Sequence, residues 1–246
     1  MQRPINSRIL FFTLALGAGF CISSVSCKKN STVTTTSADT VTTDDAADAL
    51  TEAVTPESGG MVAQTSTATV VISTGSFDCG ATTDSSFSGQ NISGAAVSYN
   101  YSFSSSRTLT CNEGIPQQFA YNFLGSSSYS ATRISSADSS QGQFTVTGLQ
   151  PASSQYTFNE TYVRKGSENS KVGNQIGFTS TISISVTSLV VDKDNQQILS
   201  GTASVSISGA TTAGKSFTYT GTLTFNGNEQ ATLTLGDNNT YSIVWS

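Results

Sequence analysis

Phe217, Tyr219, Leu223 and Phe225 alternate with Thr218, Thr220, Thr222 and Thr224. Successive side chains of an extended chain point to opposite faces, so this run has one apolar face and one face of hydroxyls. A helix would scatter the same residues around its whole circumference, and the β-branched threonines favour the extended form. The period returns at Leu233 and Leu235, at Tyr241, Ile243 and Trp245, at Ile182, Ile184 and Val186, and at Ala203, Val205 and Ile207. Between these runs stand Asn226-Gly227-Asn228, Gly236-Asp237-Asn238-Asn239 and the stretch Gly209 to Gly214, residues that tolerate the positive φ of tight turns. Strands joined by such short turns are antiparallel neighbours.

The earlier half repeats the texture less cleanly, at Val97, Tyr99, Tyr101 and Phe103, then Phe119, Tyr121 and Phe123, then Phe144 and Val146, then Tyr156, Phe158 and Tyr162. The expectation is an all-β domain over 69–246: an antiparallel meander of about ten to twelve strands forming a β-sandwich or barrel. That length is enough for one domain with its own core. Its outward faces use Ser and Thr where many proteins use Lys and Glu, in keeping with a charged fraction of 11%. No fixed-period repeat suggests a solenoid or propeller.

The amino terminus follows a different logic. Arg3 and Arg8 precede an apolar run from Ile9 to Phe20 and then the small residues Ser23 to Ser26, the order of a signal peptide. Gly17 and Gly19 interrupt the run, which falls short of the ~20 apolar residues of a membrane span. Residues 1–26 are therefore expected to be a signal peptide. Ser24-Val25-Ser26-Cys27-Lys28-Lys29 resembles the lipobox of bacterial lipoproteins, especially Bacteroidota-type ones, over a stretch of some thirty residues. The resemblance implies that Cys27 is lipidated and becomes the first residue of the mature chain, with the outer membrane as its partner through acyl chains. Each buried CH₂ contributes about 0.8 kcal/mol to such an anchor. Ser24 departs from the family, which usually has leucine there, so ordinary cleavage before a free Cys27 is the competing reading. Cys21 follows bulky Phe20 and is expected to leave with the leader. Surface-export signals of this family are acidic just after the cysteine, whereas Lys28 and Lys29 follow here, so periplasmic and surface orientations both stay open.

From Cys27 to residue 68 the chain reads as a lipid anchor followed by an acidic, Ser/Thr-rich tether. After Cys27, nine basic residues face sixteen acids, a balance of −7, and Asp39, Asp44, Asp45, Asp48, Glu52 and Glu57 fall in one stretch without a basic residue. Such a composition buries too little apolar surface to offset chain ordering. One segment is expected to be helical, over 44–55. Thr42 with Asp45 imitates a capping box, and Ala46, Ala47, Leu50, Ala53 and Val54 form a helical stripe ending near Pro56. Asp39-Thr40-Val41 resembles the O-glycosylation pattern of the same bacteria, which would place a glycan on Thr40.

Cys79 and Cys111 are the remaining cysteines, and an exported domain usually pairs such a couple. A structural disulfide there would contribute roughly 3–4 kcal/mol in the chain-entropy model. Histidine is absent from the whole chain. Ser-His-Asp and Cys-His catalysis and the usual zinc sites go with it, so no catalytic residue, metal or other cofactor is expected. Carboxylate chemistry survives as a glycan-active alternative, with Glu113, Asp138, Glu160, Glu168 and Glu229 available. Asp192-Lys193-Asp194-Asn195 offers oxygens at alternate positions but is too short for a calcium loop, and is read as a hairpin turn between Val191 and Ile198. Arg164-Lys165 and Lys171 are read as a solvated basic turn, and the acidic balance argues against nucleic acid.

Three functional classes follow. The first is a non-catalytic envelope binding or interaction module, in which Tyr99, Tyr101, Tyr121 or Tyr129 would stack on a glycan or meet an envelope protein. In the second, the apolar face encloses a cavity that carries an apolar ligand. An outer-membrane barrel, apolar face toward lipid, is the third. The expected function is the first.

Overall fold

The computed structural model describes residues 39–91, 97–236 and 238–245. Cys27, the leader and the first part of the tether lie outside the described residues. Ten strands follow one another in sequence and in space: β1 Thr82–Gln90, β2 Ser98–Asn112, β3 Ile115–Ser130, β4 Ile134–Thr147, β5 Gln155–Ser170, β6 Gly177–Asp192, β7 Ile198–Thr211, β8 Ser216–Gly227, β9 Gln230–Leu235 and β10 Asn239–Val244. Every neighbouring pair is antiparallel, and the hydrogen-bonded order runs β1 to β10 without a crossover, so the meander is one sheet whose edges β1 and β10 do not pair. The alternation predicts this arrangement, and the turns at 192–197, 212–215 and 228–229, with Gly236 and Asn238 at another, fall where Asn, Asp and Gly cluster.

One face of the sheet is apolar and buried. The other is a field of hydroxyls. Phe119, Tyr121 and Phe123 of β3, Ile182, Ile184 and Val186 of β6, and Leu223 and Phe225 of β8 all face inward and are at most 4% exposed. In β6 a bulge keeps the pattern going: Ser188 has φ 61° and donates its N–H to Asn159 Oδ1 at 3.0 Å, which turns Leu189 and Val191 back to the core.

Two helices fill the concave side, and they come from the segment read as tether. Helix α1 spans Thr43–Val54 and begins with the expected capping box, in which Thr42 Oγ1 accepts from the Asp45 N–H at 3.1 Å while Asp45 Oδ2 accepts from the Thr42 N–H at 3.0 Å. A short 3-10 turn over Pro56–Ser58 leads into α2, Met61–Thr74. Ala46, Leu50, Ala53, Met61 and Ala68 are fully buried. From Asp39 onward the described residues belong to one folded unit with the sheet, so the domain reaches ahead of a boundary at 68. The physical reason is that this segment's alanines and threonines, too small to form a core alone, complete one by packing on aromatic side chains of the sheet. Thr40 is exposed just ahead of it.

Polar contacts pin α1 across the concavity. Tyr219 of β8 donates to Val41 O at 2.7 Å, Tyr241 of β10 donates to Asp44 Oδ1 at 2.8 Å, and Arg133, in the β3–β4 turn, pairs with Asp48 at 2.8 Å. Cys79 and Cys111 are bonded, with sulfurs 2.01 Å apart, tying the segment after α2 to the end of β2.

Candidate functional site

A groove with a volume of about 880 Å³ lies on the outward face of β1–β5. Its geometry follows from register. Ser85, Ser105, Phe123, Gly142 and Tyr162 are successive partners across the five strands and point inward. The row on one side of them is Asp84, Ser106, Asn122, Gln143 and Thr161, and the row on the other is Ser86, Ser104, Leu124, Gln141 and Val163. Members of both rows point outward and line the groove. Two cross-strand ladders about 7 Å apart thus wall a trough running across the strands, about 19 Å long at ~4.8 Å per strand. Leu124 is 64% exposed within it. Asp84 is the trough's one charged side chain.

The inward face of β4 and β5 buries ions among its aromatic side chains. Arg164 of β5 is 2% exposed and bonds Asp138 of β4 at 2.5 Å. Its other terminal nitrogen donates to Glu52 O at 2.8 Å, so a cation from the sheet sits at the carboxyl end of α1, where the helix carries no basic residue of its own. Tyr129 lies under the guanidinium, 5.2 Å from ring centroid to Cζ. Burial disfavours the charge of Arg164, but the Asp138 carboxylate bonded to it holds the guanidinium protonated. This corrects the reading of Arg164-Lys165 as a solvated turn: strand alternation points Arg164 in and Lys165 out.

Two further acids lie on the same inward row of β5. Thr65 of α2 hydrogen-bonds Glu160 Oε1 at 2.8 Å, and Ser180 of β6 donates to Glu168 Oε1 at 2.7 Å. The second oxygen of each has no protein partner. Burial pushes the Glu160 carboxyl up to about 8 and Glu168 up to about 7, in each case against the hydrogen bond that favours ionisation. Burial likewise raises Glu52 to about 7, against the pull of Arg164.

The four tyrosines singled out from sequence share the inward face, where Tyr121 and Tyr129 are 0% and 4% exposed. That corrects the stacking role for these two. Tyr121 donates to Gln64 Oε1 of α2 at 3.3 Å, and Tyr129 is committed to Arg164. Tyr99 and Tyr101 are half-buried and stacked on each other, with centroids 5.8 Å apart, and Tyr99 borders a smaller groove of about 380 Å³ at the strand ends.

Glu113 and Glu229 are exposed turn residues with positive φ of 50° and 59°. Asp192 Oδ1 accepts the N–H groups of Asp194 and Asn195 at 2.9 and 3.0 Å, so the 192–195 stretch is the hairpin turn its sequence suggests. Among the described residues no three acidic or cysteine side chains gather as metal ligands. The trough was missed by sequence reading, because each of its neighbours is contributed by a different strand. No known family model, curated protein or solved structure matches the chain.

Proposed function

We propose that the chain is an exported envelope protein, lipid-anchored to the outer membrane through Cys27, whose sheet domain is a non-catalytic recognition module. The observation that carries the recognition half is the trough: an open, outward site built by two ladders of side chains. Its carboxamides are not consumed by the fold, since Asn122, Gln141 and Gln143 make no side-chain hydrogen bond within the described residues, whereas the Ser104 and Thr161 hydroxyls donate to backbone carbonyls. A carrier role is less well supported, because α1 and α2 occupy the apolar concavity a ligand would need. The outer-membrane barrel is disfavoured on the same ground, since the apolar row faces those helices and hydroxyls face outward. Glycoside hydrolysis uses two carboxyls about 5–10 Å apart. The trough offers Asp84 alone, while Asp138, Glu160 and Glu168 lie on the interior face.

Two measurements test the proposal. Mass spectrometry of the mature amino terminus should find an acylated Cys27, and Cys27→Ser should no longer bind vesicles of lipid alone, which offer the trough no ligand. Isolated envelopes should retain added Cys27→Ser protein but not Cys27→Ser carrying Asn122→Lys/Gln143→Lys, which places two bulky cations in the trough. Unchanged retention of that variant, with the anchor absent in both, would remove the trough from the function.

A further inference from the structure

Resting on the reading of the trough as a recognition site, we propose that its ligand is a neutral glycan chain laid across the strands. Its hydroxyl edge would lie on the Asn122–Gln143 ladder and the C–H face of a sugar ring on Leu124.

Direction is the first argument. The floor strands β2, β3 and β4 are each paired on both sides, so their backbone N–H and C=O groups are spent within the sheet. A peptide that adds to a sheet draws its affinity from main-chain bonds and runs parallel to an edge strand. This trough runs perpendicular to the strands, so a ligand in it is held by side chains alone.

Charge is the second. Asp84 is the one ionic group in the lining; Arg107 and Arg164 point to the opposite face of the sheet, and Lys165, which faces outward, stands one row beyond Val163 and outside the lining. An anionic ligand such as a phosphate, a sulfated glycan or an acidic peptide would find no cation there and one repelling carboxylate. Protein interfaces concentrate affinity in Trp, Tyr, Arg and Met, and neither ladder carries any of these.

The chemistry that is present fits a sugar. Asn122 and Gln143 are direct partners in the β3–β4 register, and each carboxamide carries both donor and acceptor groups, as adjacent ring hydroxyls require. Ser106 extends that ladder on one side and Thr161 on the other. On the facing ladder, the exposed Leu124 supplies an apolar surface that the C–H face of a pyranose can cover. A polar edge opposite an aliphatic patch matches the two-faced character of a sugar ring, and the length across five strands suits a chain of them.

The test is isothermal titration of the full chain with neutral gluco-, manno- and xylo-hexasaccharides. Sulfated and sialylated glycans and an extended neutral peptide serve as comparators. At least one neutral hexasaccharide should bind, and tighter than its trisaccharide. Asn122→Ala/Gln143→Ala and, separately, Leu124→Asp should each weaken it at least about tenfold with the melting temperature unchanged, since these are exposed positions. Binding of only the peptide or a charged glycan, lost in Asn122→Ala/Gln143→Ala, would overturn the glycan while keeping the trough. Neutral-glycan binding that survives both variants would overturn the trough itself, and no binding of any neutral chain would overturn the proposal.

Discussion

The inward faces of β7–β9 and of β4–β5 occupy equivalent positions in one sheet, yet they are built from opposite chemistry. Ala203, Val205 and Ile207, then Leu223 and Phe225, then Leu233 and Leu235 make a purely aliphatic and aromatic surface. Across the concavity, Ser136 and Ser140 of β4 are the partners of Glu168 and Arg164 of β5, with Asp138 between them and Glu160 beside Phe144. In the first region any well-shaped apolar side chain contributes in proportion to the area it removes from water. In the second, each group is affordable only because a particular partner is there. Helix α1 bridges the two, with Tyr219 and Tyr241 holding its first turn and Arg164 its last.

The sharpest way to break that contrast is Arg164→Leu. It strands Asp138 in the interior and removes the cation from the end of α1, and should cost about 3–5 kcal/mol in urea unfolding. Arg164→Leu/Asp138→Leu should regain most of that loss, because the two charges then disappear together. If the double variant is no better than the single one, the ion pair is not what sets this region apart. On the aliphatic side, Leu223→Ala removes a fully buried side chain and should cost roughly 2–4 kcal/mol. No single partner exchange should rescue it, and its cost should not vary between pH 5 and pH 8, here roughly the range in which the buried acids of the other side titrate.

The same contrast explains what could be read in the sequence. Strands β6–β10 are legible because their inward residues are apolar and their outward ones are hydroxyl-bearing, so burial and period agree. In β4 the inward row runs Ile134, Ser136, Asp138, Ser140 and Gly142 before reaching Phe144, so four successive inward positions carry no apolar signal. Strand β1, Thr82 to Gln90, is exposed on both faces except near Phe87 and Gly89, which leaves no alternation to find. Helix α2 was hidden for a different reason. Its sequence, MVAQTSTATVVIST, is rich in β-branched residues with no single apolar stripe, and tertiary burial of Met61, Thr65, Ala68 and Thr69 overrides that propensity. The trough was illegible because side chains that adjoin in space, such as Asn122 and Gln143, are brought together only by register.

Glu160→Gln sharpens the comparison through pH. A carboxyl raised from 4.5 to about 8 on folding binds its proton more tightly in the folded state. Its stabilisation is therefore complete below pH 4.5 and is lost as pH rises toward 8. Glu52 and Glu168, each raised to about 7, act with the same sign. The native protein should thus be more stable at pH 5 than at pH 8. Glu160→Gln keeps the contact with Thr65 without the ionisation, so it should differ from the parent by less than about 1 kcal/mol at pH 5 and be more stable by about 4 kcal/mol at pH 8. Equal shifts at both pH values in thermal unfolding would mean that Glu160 ionises freely in the fold.

Thr42→Ala probes the element that joins the two regions. It removes the hydroxyl that accepts the Asp45 N–H but leaves every contact of the sheet in place. The expected cost is about 1 kcal/mol, the usual value of such a cap. Where that cost appears is the informative part. Tyr219 and Tyr241 hold the first turn of α1, next to the cap, whereas Arg164 holds the last. Native-state hydrogen exchange should therefore show the first turn of α1 opening more readily while Ala53 and Val54 keep their protection. Uniform loss along α1 would mean that the helix docks as one cooperative piece, and that the ionic side cannot retain its end once the aliphatic side has let go.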